Sequence, residues 1–182
     1  MKILSIIKPA AMLTLFCVVT TALLAGTNLI TKDRIAELER KKTEESMAAI
    51  CAADEYKLCE GDGFTYYEAV KNGTTECYIF TNAAGGYGGD VSVMTGILPD
   101  GTVKGIEVLD VTSETAGLGQ NANKESFTSQ FTGKTSGIIV QKYGAEGNEV
   151  NAVTGATISS KGVTACVNTA LEQFKNIKTG GK

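Results

Sequence analysis

The chain opens with a change of hydrophobic pattern that divides it in two. From Ala10 to Ile30 it reads "AAMLTLFCVVTTALLAGTNLI", without a charged residue. At ~1.5 Å per residue a helix of this length crosses a hydrocarbon core of ~30 Å. A cleaved signal peptide and a lipoprotein signal are the competing readings. No A-x-A site closes the run, and Thr27 stands where a lipoprotein signal needs cysteine, so an uncleaved anchor over residues 1–30 is expected. From Thr31 to Ala53, strong helix formers carry opposite charges three and four apart, with apolar Ile35, Leu38, Met47 and Ile50 among them. That pattern predicts a helical stalk over residues 31–53.

Beyond residue 54 the period shortens. "FTYYEAV" and "TECYIFT" flank "KNGT", and "VSVMTGIL" and "TVKGIEVLDV" flank "PDG", which predicts two β-hairpins. "KESFTSQF" reads as a short helix and "GIIVQK" as a strand. From Ile158 to Ile177, Val163, Val167, Ala170, Leu171 and Phe174 recur at helical spacing. The expected class is α+β, with one domain over residues 54–182 and no internal repeats.

Composition narrows the chemistry. The formal net charge is −3 and the lysines are scattered, so no basic stripe exists to neutralise nucleic-acid phosphates. Histidine and tryptophan are absent from the sequence, which removes histidine-based nucleophile activation, proton shuttling and metal ligation. Cys17, Cys51, Cys59, Cys77 and Cys166 show no C-x-x-C spacing and read as buried or paired thiols, and no metal site is expected.

Four short motifs need weighing. "TGKTSG" contains G-K-T, but Thr128 occupies the position of the leading P-loop glycine, so it is not a nucleotide-hydrolase loop. "GGYGGD", Gly85 to Asp90, is either a cofactor-contacting turn or a bend leading into the strand at Val91. "SETAGLG" places one carboxylate and one apolar side chain on a glycine-flanked loop, which turn chemistry alone also explains. "VNAVTGATISSKGV" is the fourth. Thr157 stands at or beside a helix N-cap, where unpaired N–H groups and the positive end of the dipole gather. Gly155 and Ala156 keep the approach free of bulk, Thr154, Ser159 and Ser160 add hydroxyls, and Lys161 adds a charge. Such a terminus seats a phosphate, or it is a plain threonine cap.

"TGAT", with "SETAGLG" some forty residues before it and a single anchor at the N-terminus, resembles the FMN-binding G subunit of the Rnf ion-translocating electron-transport complex. The C subunit of the sodium-translocating NADH:quinone oxidoreductase is related to it. In that family a flavin transferase joins FMN through its phosphate to the last threonine of D-x-x-[S/T]-G-A-T. The resemblance therefore implies covalent FMN on Thr157, with Thr154, Gly155, Ala156, Ser160 and Lys161 around its phosphate. The family's E-T-x-G-L-G loop, usually with proline at x, corresponds to Glu114, Thr115, Ala116, Gly117, Leu118 and Gly119. It implies that Glu114, Thr115, Gly117, Leu118 and Gly119 lie against the flavin. Asn151 replaces the family's leading aspartate.

The implied protein is an electron-carrying redox subunit of a translocase rather than an enzyme by itself. The implied partners are the other Rnf subunits, the membrane and, during maturation, the transferase. The implied topology is a short cytoplasmic tail, one pass through the inner (cytoplasmic) membrane and an extracytoplasmic FMN-binding domain. A literal count of basic residues points the other way, since Lys2 and Lys8 precede the span while Lys32, Arg34, Arg40, Lys41 and Lys42 follow it. The quinone-reductase subunit and an anchored module without redox chemistry are the alternative readings.

Overall fold

The computed structural model describes residues 2–180; Met1 and residues 181–182, the ends of the two outer expected segments, lie outside them. Helix α1 runs unbroken from Lys2 to Ile50. It contains the one helical stretch, among the described residues, long and apolar enough to cross a membrane. Threonines tolerate that setting because Thr14, Thr20, Thr27 and Thr31 donate to the carbonyls of Ala10, Phe16, Leu23 and Thr27, each at 2.9 Å. Further along, Glu37 accepts from Arg34 at 3.0 Å and from Lys41 at 3.1 Å, on exposed surface where such pairs contribute only a few tenths of a kcal/mol.

The residues from Glu45 onward form a second compact unit, which includes the last six residues of α1. Its centre is a five-stranded antiparallel meander in the order β1 (Glu55–Glu60), β2 (Thr65–Lys71), β3 (Thr74–Gly85), β4 (Asp90–Ile97) and β5 (Val103–Asp110). Asn72 and Gly73 join β2 to β3 with φ of 51° and 76°, the two positive values that a two-residue turn of this twist demands. Asp100 fixes the β4–β5 turn by accepting from the Thr102 amide at 2.9 Å and hydroxyl at 2.7 Å, and these bonds hold its carboxyl below the usual range. Both expected hairpins are present. β1 and a third hairpin, β3–β4, are additional.

Alternation along the central strands sends side chains to two cores. On one face Phe80, Val91, Val93, Ile97, Val103 and Ile106 pack against α3 (Thr157–Lys178), which presents Val163, Cys166, Val167, Ala170, Leu171 and Phe174. That set is the 3.6-residue stripe of the sequence. On the other face Ala69, Cys77, Ile79 and Met94 meet Met47, Ile50 and Cys51. The sheet is therefore covered on both sides, and its thiols are part of the packing. Burial pushes the Cys77 thiol up to about 12 and Cys166 up to about 11, while Lys104 Nζ donates to Cys51 Sγ at 3.1 Å.

Between β5 and α3 the chain makes a 3₁₀ turn (Gly119–Asn123), the short helix α2 (Glu125–Thr128), a second 3₁₀ turn (Ser129–Phe131) and two three-residue strands. These strands, β6 (Ile139–Gln141) and β7 (Glu149–Asn151), pair in parallel. The G-K-T segment lies in the connection before β6. There the Gly133 amide donates to the Val103 carbonyl at 2.7 Å and Lys134 Nζ to the Gly147 carbonyl, so its polar groups tie chain to chain.

One contact sets how closely α3 lies on the sheet. A Cβ on Gly162 would stand 2.8 Å from the Gly85 carbonyl oxygen and 3.0 Å from Val91 Cγ2. Glycine inside a helix ordinarily costs about 1 kcal/mol relative to alanine, but here alanine forces helix and sheet apart. Gly162→Ala is therefore expected to destabilise the domain by about 1–3 kcal/mol, the range for overpacking. Urea unfolding checks this, and a stabilised variant would contradict the close approach.

Candidate functional site

Three segments converge where β3 and β5 end and α3 begins: the β3–β4 loop, the loop after β5, and the first turn of α3. Glu114 joins them. Its side chain is only 3% exposed, and its Oε1 accepts from the amides of Tyr87 at 2.7 Å and Gly88 at 3.1 Å. Its Oε2 accepts from the Ser159 hydroxyl at 2.7 Å. Burial alone would raise the carboxyl's pKa, but these bonds, Ser159 first, outweigh it and hold the carboxyl below its ordinary value of 4.5. The glycines follow from this. A Cβ at Gly86 or Gly119 would overlap the Glu114 carboxylate, and one at Gly88 would overlap the Ser113 carbonyl. The "GGYGGD" loop is thus the β3–β4 bend, wrapped around a carboxylate of the chain itself, and it presents Tyr87 outward.

The start of α3 is built as tightly. Gly155 has φ of 77° and Ala156 is the N-cap, without a side-chain capping bond. Ser160 supplies part of what the cap lacks, because its buried hydroxyl donates to the Ala156 carbonyl and accepts from the Val153 amide, both at 2.9 Å. Thr157 is consequently the first helical residue and not a capping threonine. Its half-buried hydroxyl has no hydrogen-bond partner among the described residues, and neither do the amides of Thr157, Ile158 and Ser159. An unpaired hydroxyl beside three unpaired amides forms an anion seat.

That seat opens into a cleft of about 730 Å³. One wall is Tyr87, Glu114, Thr115, Leu118 and Gly119, the floor is residues 155–159, and Lys142 and Tyr143 stand at the third edge. Of the residues singled out in the sequence, Glu114, Thr115, Leu118, Gly119, Gly155, Ala156 and Thr157 are brought together here. The others are elsewhere. Gly117 turns the loop outside the lining with φ of 77°, Ser160 is buried behind the helix start, and Lys161 is exposed outside the lining. Thr154 faces a separate polar groove of about 570 Å³, with Asn121, Lys124, Gln130 and Asn151.

Asn151 does not reach the cleft. Its Oδ1 accepts from the Ala145 amide at 3.0 Å, a role that an aspartate oxygen fills equally, so its amide preserves the local turn. Ser159, read in the sequence as one of the hydroxyls at the helix start, also lines the cleft, whereas Tyr87, Lys142, Tyr143 and Ile158 are lining residues that motif reading did not assign to the site. Tyr87 was visible within its glycine loop, whereas Lys142 and Tyr143 follow a strand without any motif.

The fit to a flavin mononucleotide rests on this donor set. A phosphate matches the free amides and hydroxyl at the floor, and a planar ring matches the apolar and aromatic walls, in a volume ordinary for such ligands. Comparison with known proteins agrees. Residues 86–172 match the FMN-binding domain family, and residues 1–50 match the RnfG N-terminal region. The G subunit of the proton-translocating ferredoxin:NAD(+) oxidoreductase complex of Clostridium ljungdahlii is 33% identical over 172 residues, covering 93% of this chain and 91% of that protein. The Na(+)-translocating counterpart from Acetobacterium woodii is 39% identical over 116 residues, covering 61% of this chain and 55% of that one. The chain therefore belongs to the family of G subunits of Rnf-type ion-translocating oxidoreductase complexes.

Solved structures share the fold. The C subunit of the Na(+)-translocating NADH-quinone reductase from Parabacteroides distasonis superposes with a TM-score of 0.57 at 23% identity, covering 71% of this chain and 80% of that one. The Shewanella oneidensis NqrC structure gives 0.55 at 19%, covering 71% and 73%.

The depressed Glu114 value fixes the sign of a pH effect. Stability from this carboxylate is fully present above the unfolded value and is lost as pH falls through the lower folded one. Urea midpoints of the wild type should therefore be flat near neutrality and decline below about pH 4.5. Glu114→Gln should flatten part of that acid decline, and Glu114→Ala should lose about 1–3 kcal/mol at pH 7 by stranding its donors. An unchanged acid limb in Glu114→Gln would count against the assignment.

Proposed function

We propose that this chain is an electron-carrying flavoprotein subunit of a membrane-bound ion-translocating ferredoxin:NAD oxidoreductase complex, holding FMN covalently through a phosphoester to Thr157. The observation that carries the reading is the unpaired Thr157 hydroxyl beside three free amides at the floor of an aromatic-walled cleft. Family membership supplies the cofactor class and the complex.

The residues act by position. FMN, when bound, supplies the redox chemistry and accepts or gives up electrons at its ring. The amides of Thr157, Ile158 and Ser159 and the helix dipole hold the phosphate charge. Leu118, whose Cδ2 lies 3.0 Å from where a Cβ on Gly155 would stand, closes apolar surface over the turn and excludes water. Glu114, saturated by its three donors, shapes the cleft without offering a free base.

Attachment needs a separate catalyst. In the reaction proposed, Thr157 Oγ attacks the FMN-side phosphorus of FAD. A new O–P bond forms, the pyrophosphate bond breaks, AMP leaves, and the hydroxyl proton passes to a base. With no histidine in the sequence, Glu114 already engaged and no cluster of metal-ligating side chains among the described residues, we assign that base, and a metal ion to offset the pyrophosphate charge, to a flavin transferase. The anchor and complex membership support a single-pass protein of the cytoplasmic membrane. On this reading its sheet domain lies on the extracytoplasmic side, alongside the other subunits and against the literal basic-residue count.

Co-expression with a flavin transferase tests the linkage. Wild type should give a fluorescent band on a denaturing gel, Thr157→Ala should abolish it, and Ser159→Ala should retain most of it. A fluorescent Thr157→Ala band would sink the assignment, and a wild-type chain that never acquires flavin would favour the anchored module without redox chemistry.

For topology, an alkaline-phosphatase fusion after Lys182 should be active. An inactive phosphatase paired with a bright cytoplasmic fluorescent fusion would reverse the placement.

A further inference from the structure

The sheet domain leaves few large apolar side chains in water, and most of those stand at one place. Of the six exposed from Glu45 onward, Leu58, Tyr87, Leu118, Ile139, Tyr143 and Ile158, four line the cleft. Tyr87 is 71% exposed and Tyr143 72%, with neither hydroxyl hydrogen-bonded among the described residues. Apolar side chains gathered this way mark a surface that is covered in use.

The main chain of Tyr87 is nonetheless fixed, because its amide is held by Glu114 at 2.7 Å. Beside Tyr143, Lys142 Nζ lies 5.6 Å from the ring centroid. No carboxylate among the described residues pairs with Lys142. The only carboxylate lining the cleft is Glu114, whose two oxygens are already engaged by three donors. The cleft is thus bordered by two exposed aromatic side chains and carries one cation without a carboxylate partner among the described residues. These are the requirements of a flat aromatic ring that gains negative charge on reduction.

We propose that Tyr87 and Tyr143 are the stacking walls for the isoalloxazine and that Lys142 is the group that raises its midpoint potential. This rests on the reading of Thr157 as the tether. It assigns the electrostatic tuning to Lys142 in the β6–β7 connection, whereas Lys161 on α3 lies outside the lining. Stacking on tyrosine quenches flavin emission, so the walls have an optical signature independent of any activity.

The test uses the full chain flavinylated by co-expression and compares two fluorescence readings. Denaturing-gel fluorescence reports the tether, and fluorescence of the native protein reports the walls. Tyr87→Leu and Tyr143→Leu should leave the gel band unchanged and raise native emission severalfold, while Tyr87→Trp and Tyr143→Trp, whose indole donates an electron to the excited flavin as the phenol does, should keep it quenched. Lys142→Gln should lower the midpoint potential, with Lys71→Gln, on the exposed β2–β3 hairpin, leaving it in place. Unchanged native emission in both leucine variants would overturn the stacking walls. A Lys142→Gln potential no lower than that of Lys71→Gln would overturn the tuning role. A wild-type gel without a fluorescent band would remove the tether reading and this proposal together, whereas a normal band with unresponsive walls removes this proposal alone.

Discussion

A single buried carboxylate organises the functional end of this domain. Glu114 receives two amides from the β3–β4 loop and one hydroxyl from the first turn of α3, and so binds three segments distant in sequence. Each of those donors has a consequence. The amides require the chain to fold closely around the carboxylate, for which Gly86 and Gly119 leave room, and the hydroxyl ties the first turn of α3 to it. Thr157, two residues before Ser159, is thereby directed at the cleft. A charge kept in a dry place is costly unless saturated, and here saturation and site construction are the same act.

The rest of the fold holds that junction rigid. The meander supplies two faces, and the close approach at Gly162 seats α3 against Gly85 and Val91, immediately beside the glycine loop. The same helix that offers unpaired amides at its start is anchored along its length by Val163, Val167, Ala170, Leu171 and Phe174. A phosphate held there, as proposed, would need amides that do not shift under its charge. Burial of the α3 stripe provides that stiffness.

The fold was legible where local chemistry dictates it. The Asn72-Gly73 turn, the apolar run of α1 and the stripe of α3 each declare themselves within a few residues. β1 did not, because "EYKLCE" is exposed at most positions and lacks a strong alternation. β6 and β7 are three residues each, too short for a period to register. Within the candidate site, motif reading grouped Glu114, Leu118, Gly155 and Thr157, and the two loops that carry them meet at one cleft. It placed Ser160 and Lys161 by proximity in sequence, and helical rotation sends the first inward and the second out to solvent. Lys142 and Tyr143 are the converse case: tertiary placement brings them to the cleft from a segment with no local signature.

The walls of the cleft differ in how firmly they are held. The Tyr87 side is continuous with a five-stranded sheet and locked by Glu114, while Tyr143 lies on the connection between β6 and β7, two strands anchored by buried Val150 and by the Asn168–Ile138 bonds but joined by a segment with few ties of its own, such as Ala145 to Asn151. Local opening draws on the least constrained element first. The domain therefore has a hinge side and a door side. Reaching the half-buried Thr157 hydroxyl therefore asks least of the fold when residues 142–147 give way, and the sheet stays closed as they do.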